Sequence, residues 1–410
     1  MAYELVLVVF LVTYVLLAVG RVPGLKTDRA GIALLGAAAV LALGLLSFER
    51  AFSAEVMDYK TLVLLFGLMV VVGAVRLGGV FARLERLLRF ARSPHALLAS
   101  TIALAGLLSA FLVNDIICVA FTPVLLAECR RRGYDPLPHL LGLATGSNIG
   151  SAAAITGNPQ NMYIGANSGI DYLRFLLKLG PPALLSLGVA FVLLAWLHRQ
   201  RLRRLVASSA HVASPQLPPL QAGPVLWACL AVLGFFVLPS AALPIVALGA
   251  AALCFLRRGS PRELLNEVDG SLLLLFAGLF IVVGAFREQV LPHWGIPSWS
   301  WLQNDPLYAL SGLSALLSNL VSNVPAVMLF REVIDAMPAA QRETAWLALS
   351  LSSTLAGNLT LLGSIANLIV AEGARREGVE ISFLAYAQFG VPLTLLTLAI
   401  GIGWLALLPY

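Results

Sequence analysis

Long apolar runs recur along the whole chain. Segments such as Glu4 to Gly20, Ala30 to Phe48, Thr61 to Val75 and Pro181 to Leu197 approach or reach the roughly 20 residues that a membrane-spanning helix needs. Of 410 residues, 59% are hydrophobic and 12% charged, where an ordinary soluble protein carries roughly 25% charged residues. A soluble fold is excluded, and the chain reads as an all-α integral membrane protein. Its start, Met-Ala-Tyr-Glu, lacks the basic region and small-residue cleavage site of a signal peptide, so the first run is expected to be a retained helix.

The net charge of +6 does not call for nucleic acid. The arginines sit in short loops between apolar runs, as the positive-inside bias of membrane proteins requires, so the partner implied is the lipid bilayer. Cys118, Cys129, Cys229 and Cys254 show no CxxC pair or other metal-ligand spacing, and no disulfide framework is expected. Cys118 is a weak ligand candidate only because a motif lies beside it.

An internal repeat organises the chain. MDYKTLVLLFGLMVVVGAVR from Met57 matches VDGSLLLLFAGLFIVVGAFR from Val268, and chance likeness between apolar helices would not preserve Asp58 with Asp269, Gly67 with Gly278, Gly73 with Gly284 and Arg76 with Arg287. LLSAFLVNDIICVAF from Leu107 matches LLSNLVSNVPAVMLF from Leu316, placing Asn114 on Asn323. GSNIGSAAAITGNPQN from Gly146 matches GNLTLLGSIAN from Gly357, read here with a length difference that sets Asn148 on Asn358 and Asn161 on Asn367. The expected division is residues 1–205 as the first repeat, 206–222 as a cytoplasmic linker and 223–410 as the second repeat.

Loop charge orients the repeats. Segments 21–29, 76–92, 129–133, 199–204, 257–262 and 375–376 are rich in Arg and Lys and read as cytoplasmic, whereas 49–60, 166–178, 288–306 and 331–343 are mixed and read as external. Both termini then face outward, in a cell (inner) membrane. Between Arg92 and Arg130 each leg of a helical pair would rise only about 24 Å, so a re-entrant hairpin from the cytoplasm is expected. Asp305 to Arg331 is shorter and lies between external loops, so its hairpin enters from outside. The repeats are therefore read as inverted, with about five transmembrane helices plus one re-entrant hairpin each.

Four polar clusters interrupt the apolar segments: Val113-Asn114-Asp115, Gly146 to Asn161, Val321 to Pro325, and Gly357 to Asn367. Irregular backbone at membrane depth is tolerated only where protein buries it or a cavity needs it. Asn158 before Pro159 reads as an N-cap followed by the first helical residue, and Thr122-Pro123 and Asn323-Val324-Pro325 are looser versions of the same start. Such half-helix starts present unpaired N–H groups that suit an anion, and unwound carbonyls with Asn or Ser oxygens suit Na⁺. Asp115 is the one carboxylate placed deep in an apolar segment, which makes it the candidate coupling-ion residue; the plainer alternative is a hairpin-tip Asp facing water. Asn148, Asn161, Asn358 and Asn367 could individually be helix-linking amides.

VNDIICVAFTPVLL (113–126), ATGSNIGSAAAITGNPQNMYIG (144–165), LVSNVPAVMLF (320–330) and AGNLTLLGSIANLIVAEGARREG (356–378) resemble the ion transporter superfamily, in its arsenite permease and D-type Na⁺/H⁺ antiporter branch with a citrate-transporter-like domain. The resemblance implies a scaffold and a moving transport part holding both hairpins and both broken helices, an elevator-like motion and often a homodimer. It assigns substrate contacts to Asn114, Ser147, Asn148, Thr156, Gly157, Asn158, Asn161, Ser322, Asn323, Asn358, Thr360, Gly363, Ser364 and Asn367, and the coupling ion to Asp115, Asn114 and Asn323. Antiporter-like relatives carry an acid where this chain has Asn158, and the Ser-Asn-Thr signature of dicarboxylate symporters is incomplete at Ser147-Asn148-Ile149 and Ser322-Asn323-Val324.

The leading expectation is a secondary transporter of a small inorganic or organic anion, coupled to Na⁺ or H⁺ and needing no other cofactor. Efflux of arsenite or antimonite, metalloids that travel as neutral hydroxides, is the sharpest alternative. Na⁺/H⁺ exchange through Asp115 is a third. An intramembrane enzyme would need a buried Ser–His pair or two Asp residues, yet all five histidines fall in or beside loops. Paired broken helices in a repeat favour alternating access over a channel.

Overall fold

A computed structural model describes residues 2–20, 27–203, 220–295 and 305–408. The linker expected at 206–222 lies, up to residue 219, outside the described residues, as do 21–26 and 296–304. The principal helices are α1 (Ala2–Val19), α2 (Arg29–Ala42), α3 (Tyr59–Leu77), α4 (Val80–Leu88), α5 (Pro94–Phe111), α6 (Asn114–Arg132), α7 (Pro136–Ser151), α8 (Pro159–Asn167) and α9 (Tyr172–Leu197) in the first half. In the second they are α10 (Ala222–Val237), α11 (Leu243–Cys254), α12 (Gly270–Gln289), α13 (Pro306–Val321), α14 (Asn323–Asp335), α15 (Ala339–Ala356), α16 (Ile365–Arg376) and α17 (Phe383–Leu407). The fold is all-α, and α1, α3, α5, α9, α12 and α17 are long and apolar enough to cross a membrane.

Local chemistry starts these helices where it should. Asp58 accepts from Thr61 N at 3.1 Å and Asp269 from Leu272 N at 3.0 Å, so the matched aspartates cap the matched helices α3 and α12. Ser93 before Pro94 and Asp135 before Pro136 cap α5 and α7 in the same way. One expected start is corrected. Thr122-Pro123 does not open a half-helix, because α6 runs unbroken from Asn114 to Arg132 with Pro123 inside it. Pro123 removes the helical partner of the Val119 carbonyl without breaking the helix.

Matched helices exchange matched contacts. A Cβ on Gly67 of α3 would lie 2.7 Å from the Ala247 carbonyl carbon of α11, and one on Gly278 of α12 would lie 2.7 Å from that of Ala33 in α2. Such close backbone approach is what small residues buy between apolar helices. The direction is visible at the ends: Arg76, closing α3, pairs with Glu267 just before α12, and Arg287, near the end of α12, donates to the Glu55 carbonyl just before α3. The two helices therefore run antiparallel, as halves related by a two-fold axis across the bundle do.

Two groups of helices emerge. α1 to α3 and α10 to α12 pack together as one, with α2 on α12 and α11 on α3; in the other, α5 and α6 lie on α7, α13 and α14 on α15, and α9 along α17. The first hairpin has legs of 18 and 19 residues, about 27–28 Å at 1.5 Å per residue, longer than the sequence spacing suggested. The second has legs of 16 and 13. Bonds between loops sort the ends of the bundle. Arg76–Glu267, Arg130–Glu377 and Arg201–Asp135 join arginine-rich segments at one end, and Arg50–Glu288, Arg174–Glu343 and Arg287–Glu332 join mixed ones at the other. The first and last described residues lie at the mixed end, where Trp294 donates to the Tyr3 hydroxyl and Trp404 to the Lys178 carbonyl.

Gly67→Ala and Gly278→Ala should each force backbone apart and cost roughly 1–3 kcal/mol, read as a lowered unfolding temperature of the purified protein. Gly249→Ala, with nothing within 4 Å of the added carbon, should not lower it.

Candidate transport site

Two helices break in the middle of the second group, between α7 and α8 and between α15 and α16. A short 3-10 turn sits in each gap, Ile155–Gly157 and Leu361–Gly363. Each break leaves carbonyls without helical partners, the first among wholly buried side chains and the second beside the exposed Leu362 and Ile365, and each is closed by one asparagine. Asn161 Nδ2 donates to the carbonyls of Ser151 and Ala154 at 3.1 Å each. Asn367 Nδ2 donates to those of Gly357 at 2.8 Å and Thr360 at 3.1 Å.

The other face of each amide reaches across to the opposite half. Asn161 Oδ1 accepts from Ser350 Oγ at 2.7 Å and Thr354 Oγ1 at 3.5 Å, while Asn367 Oδ1 accepts from Asn148 Nδ2 at 3.0 Å. Asn158 Nδ2 donates to Thr354 Oγ1 at 3.3 Å, and Ser364 Oγ to Asn148 Oδ1 at 3.0 Å. These exchanges correct the third repeat match. SAAAITGNPQN from Ser151 pairs with GNLTLLGSIAN from Gly357 without a gap, so Asn161 does fall on Asn367, but Asn148 corresponds to Thr354 and not to Asn358. The shared Gly and Asn of GSN and GN had drawn the match out of register.

Asn148 is the hub of the first cluster. Its Nδ2 also donates to Asn358 Oδ1 at 2.9 Å, and its Oδ1 accepts from Asn114 Nδ2, at the tip of the α5–α6 hairpin, at 3.0 Å. The second tip arrives at the same place: the Asn323 amide lies against Gly357. Between α13 and α14, Ser322 has φ +81 and ψ 155, a conformation nearly confined to glycine that costs roughly 1–3 kcal/mol. It is the one non-glycine residue with positive φ among the described residues.

The remaining expected residues divide. Gly157 and Gly363 allow the turns to touch the Ser151 and Gly357 carbonyls, and Thr360 contributes its own carbonyl to Asn367. Ser147 meets Cys118 Sγ at 3.1 Å inside the helix packing. Thr156 points away from the cluster, to the Ala110 carbonyl and the Tyr172 hydroxyl. Asp115 is half-buried on the first turn of α6. Glu128, not singled out by sequence, is a more buried carboxylate, held by Arg131 and Arg132.

Sequence reading also passed over Ser350, Thr354, Gln160 and Asn319. Gln160 Nε2 donates to Thr354 Oγ1 at 3.2 Å. Asn319 donates to the carbonyls of Ala315 and Ala356, and its Oδ1 lies 2.9 Å from where a Cβ on Gly363 would sit. Its signal was present, as an amide one helical turn before Asn323 in the quoted LLSNLVSN.

Three amide oxygens at the tips, Asn114 Oδ1, Asn319 Oδ1 and Asn323 Oδ1, are buried with no hydrogen-bond partner. A cleft of about 440 Å³ opens beside the second tip towards the arginine-rich end, between Asn319, Ser322 and Ile365 on one wall and Asp28, Arg29 and Asp269 on the other. At the mixed end, the matching boundary between the two helix groups holds a void of about 30 Å³ lined by Tyr163, Phe280, Arg287, Arg331 and Glu332, with a cleft of about 600 Å³ beside it against Arg287, Leu291, Glu332 and Asp335. Asn167 Nδ2 there donates to Asp58 Oδ2 at 2.6 Å, and Arg287 lies 3.4 Å from Glu332. The ungapped register gives Gly373 as the counterpart of Asn167, so no side chain at that position can reach Asp269.

Asn161→Ala and Asn367→Ala should each strand two buried carbonyls, at roughly 1–3 kcal/mol apiece, and lower the unfolding temperature of the purified protein more than Thr360→Ala does, since Thr360 enters the network through its backbone.

Comparison with known proteins bears on this arrangement. Residues 14–351 match the citrate transporter family. The chain is 31% identical to the silicon efflux transporter LSI3 of Oryza sativa subsp. japonica, covering 96% of each chain. It is 29% identical to a 46 kDa membrane protein of Mycobacterium leprae, covering 96% of this chain and 95% of that one. Among solved structures, the Alcanivorax borkumensis YdaH transporter shares the fold, with a TM-score of 0.61 at 16% identity over 98% of this chain and 97% of that one. The match over most of the chain and the likeness to transporters along its whole length agree with the apolar helices, and the chain is a multi-pass membrane transporter that belongs to the citrate transporter family.

Proposed function

We propose that this protein is a secondary active efflux permease for a small, neutral, hydroxyl-bearing solute, the class to which silicic and arsenous acids belong, coupled to H⁺ or Na⁺. The observation that carries the reading is the set of three buried, unpaired amide oxygens at the hairpin tips. Unpaired acceptors are costly until something donates to them, and a neutral hydroxide donates through every O–H. A fully deprotonated oxyanion such as sulfate brings only further acceptors. The cleft points the same way, since among the described residues Asp28 and Asp269 line it with a single guanidinium, Arg29. Such a field raises the local concentration of cations and opposes anions. The name of the rice relative supports the same solute class.

Small-oxyanion transport is the second reading, favoured by the helix start at Asn323, which has no side-chain cap. In both readings the coupling cation is held by Asp115, Asn114 and Asn323. With the arginine-rich end taken as cytoplasmic, the cleft faces inward. An elevator-like shift of the hairpins and broken helices against α1 to α3 and α10 to α12 would close it and open the boundary at Asp58.

Flux into proteoliposomes tests the assignment, using silicic acid, arsenite, sulfate, phosphate, succinate and citrate, with and without Na⁺ and pH gradients. Silicic acid or arsenite should move and respond to a gradient; movement of the anions alone would sink the acceptor argument. Asp115→Asn should abolish the response to the gradient while the protein still folds, and unaltered coupling would remove Asp115 from the mechanism. Asp58→Asn, which weakens a charged hydrogen bond worth roughly 1.5–3 kcal/mol, should raise thiol-reagent labelling of a cysteine placed at Phe280 by about tenfold or more.

A further inference from the structure

Helix α4 is unlike the other helices. Val80–Leu88 buries Phe81 against Phe121 and Leu88 in the core, yet exposes Arg86, Leu87, Arg89 and Phe90, the last by 78%, with Arg92 exposed just beyond. Its place explains nothing about the transported solute. It connects α3, in the group that includes α12, to the first hairpin, through Gly78 and Gly79, the latter at φ +78. Its far end is fixed to that hairpin: the Arg132 guanidinium on α6 donates to the carbonyls of Arg89 at 2.8 Å, Leu88 at 3.3 Å and Ala91, and Glu128 holds the guanidinium in turn. Whatever grips the exposed face of α4 therefore grips the first hairpin too.

We propose that this face is a docking surface for anionic phospholipid headgroups. Arg86, Arg89 and Arg92 supply the charge that complements lipid phosphates, and guanidinium matches phosphate oxygens two at a time. Leu87 and Phe90 supply an apolar body that belongs at the acyl boundary, as in helices lying in the membrane interface. Each arginine near an anionic surface raises binding roughly fivefold. α4 thus works as a lipid-anchored arm with a glycine joint at one end and a clamped hairpin at the other. The proposal stands whichever solute is carried.

The experiment is tryptophan quenching in vesicles made of equal parts phosphatidylcholine and phosphatidylglycerol, with either lipid brominated in its acyl chains. The Phe90→Trp signal, taken as the difference from the parent protein, should be quenched more by brominated phosphatidylglycerol than by brominated phosphatidylcholine. That preference should fall several-fold in R86Q/R89Q/R92Q and persist in R86K/R89K/R92K, because charge is what attracts the lipid. Equal quenching by both lipids, or a preference surviving the glutamine substitutions, would overturn the proposal. Absence of quenching by either lipid would also overturn it, by showing that a second copy or a soluble partner covers the face.

Discussion

A carbonyl without a hydrogen-bond partner is expensive anywhere in a protein interior and more so where lipid excludes water. This chain breaks two helices in its buried middle, and the rest of the architecture follows from how those breaks are closed. Asn161 and Asn367 each spend one side of an amide on two carbonyls of their own break and the other side on the opposite half. Asparagine can do this because it donates and accepts on one planar group. A hydroxyl has too few donors, and a carboxylate has none. The repair of the local backbone is therefore also the joint between the repeats, and neither half can complete its own break network alone.

That joint explains which parts of the site could be read from sequence. The Asn158-Pro159 start, the matched caps Asp58 and Asp269, and the division of loops into arginine-rich and mixed ends follow from local rules, and the hydrogen bonds agree with them. Partners across the halves obey no local rule. Ser350 and Thr354 lie in LSLSST, which looks like ordinary helix until Asn161 and Asn158 are seen against it. The register of the third repeat went astray for the same reason, since identity of letters favoured Asn358 while the bonded geometry sets Thr354 where Asn148 stands. Thr122-Pro123 misled because a proline can sit inside a helix that continues past it, and nothing in the sequence says that α6 does so.

The two halves are built alike but finished differently. Tip one is relaxed, with Val113 at φ −62, while tip two holds Ser322 at φ +81. Asn148 gathers four polar partners, whereas its counterpart Thr354 has a single hydroxyl to share among Asn158, Gln160 and Asn161. Under the elevator-like shift proposed above, a two-fold scaffold would make two equivalent conformations available. Differences at matched positions then decide how unlike the two are in energy and in what they bind.

The bond between Asn167 and Asp58 has such a consequence. With glycine at the matching position, the proposed elevator-like shift would give one conformation a clasp that the other lacks. A difference of roughly 1.5–3 kcal/mol makes the clasped form about ten to a hundred times more abundant. A solute approaching from the clasped side must wait for the rare form, and its apparent affinity is divided by that rarity. The same binding groups would then show a low half-saturation concentration on one face of the membrane and a high one on the other. Directionality in a carrier of this kind can thus reside in a single amide far from the solute.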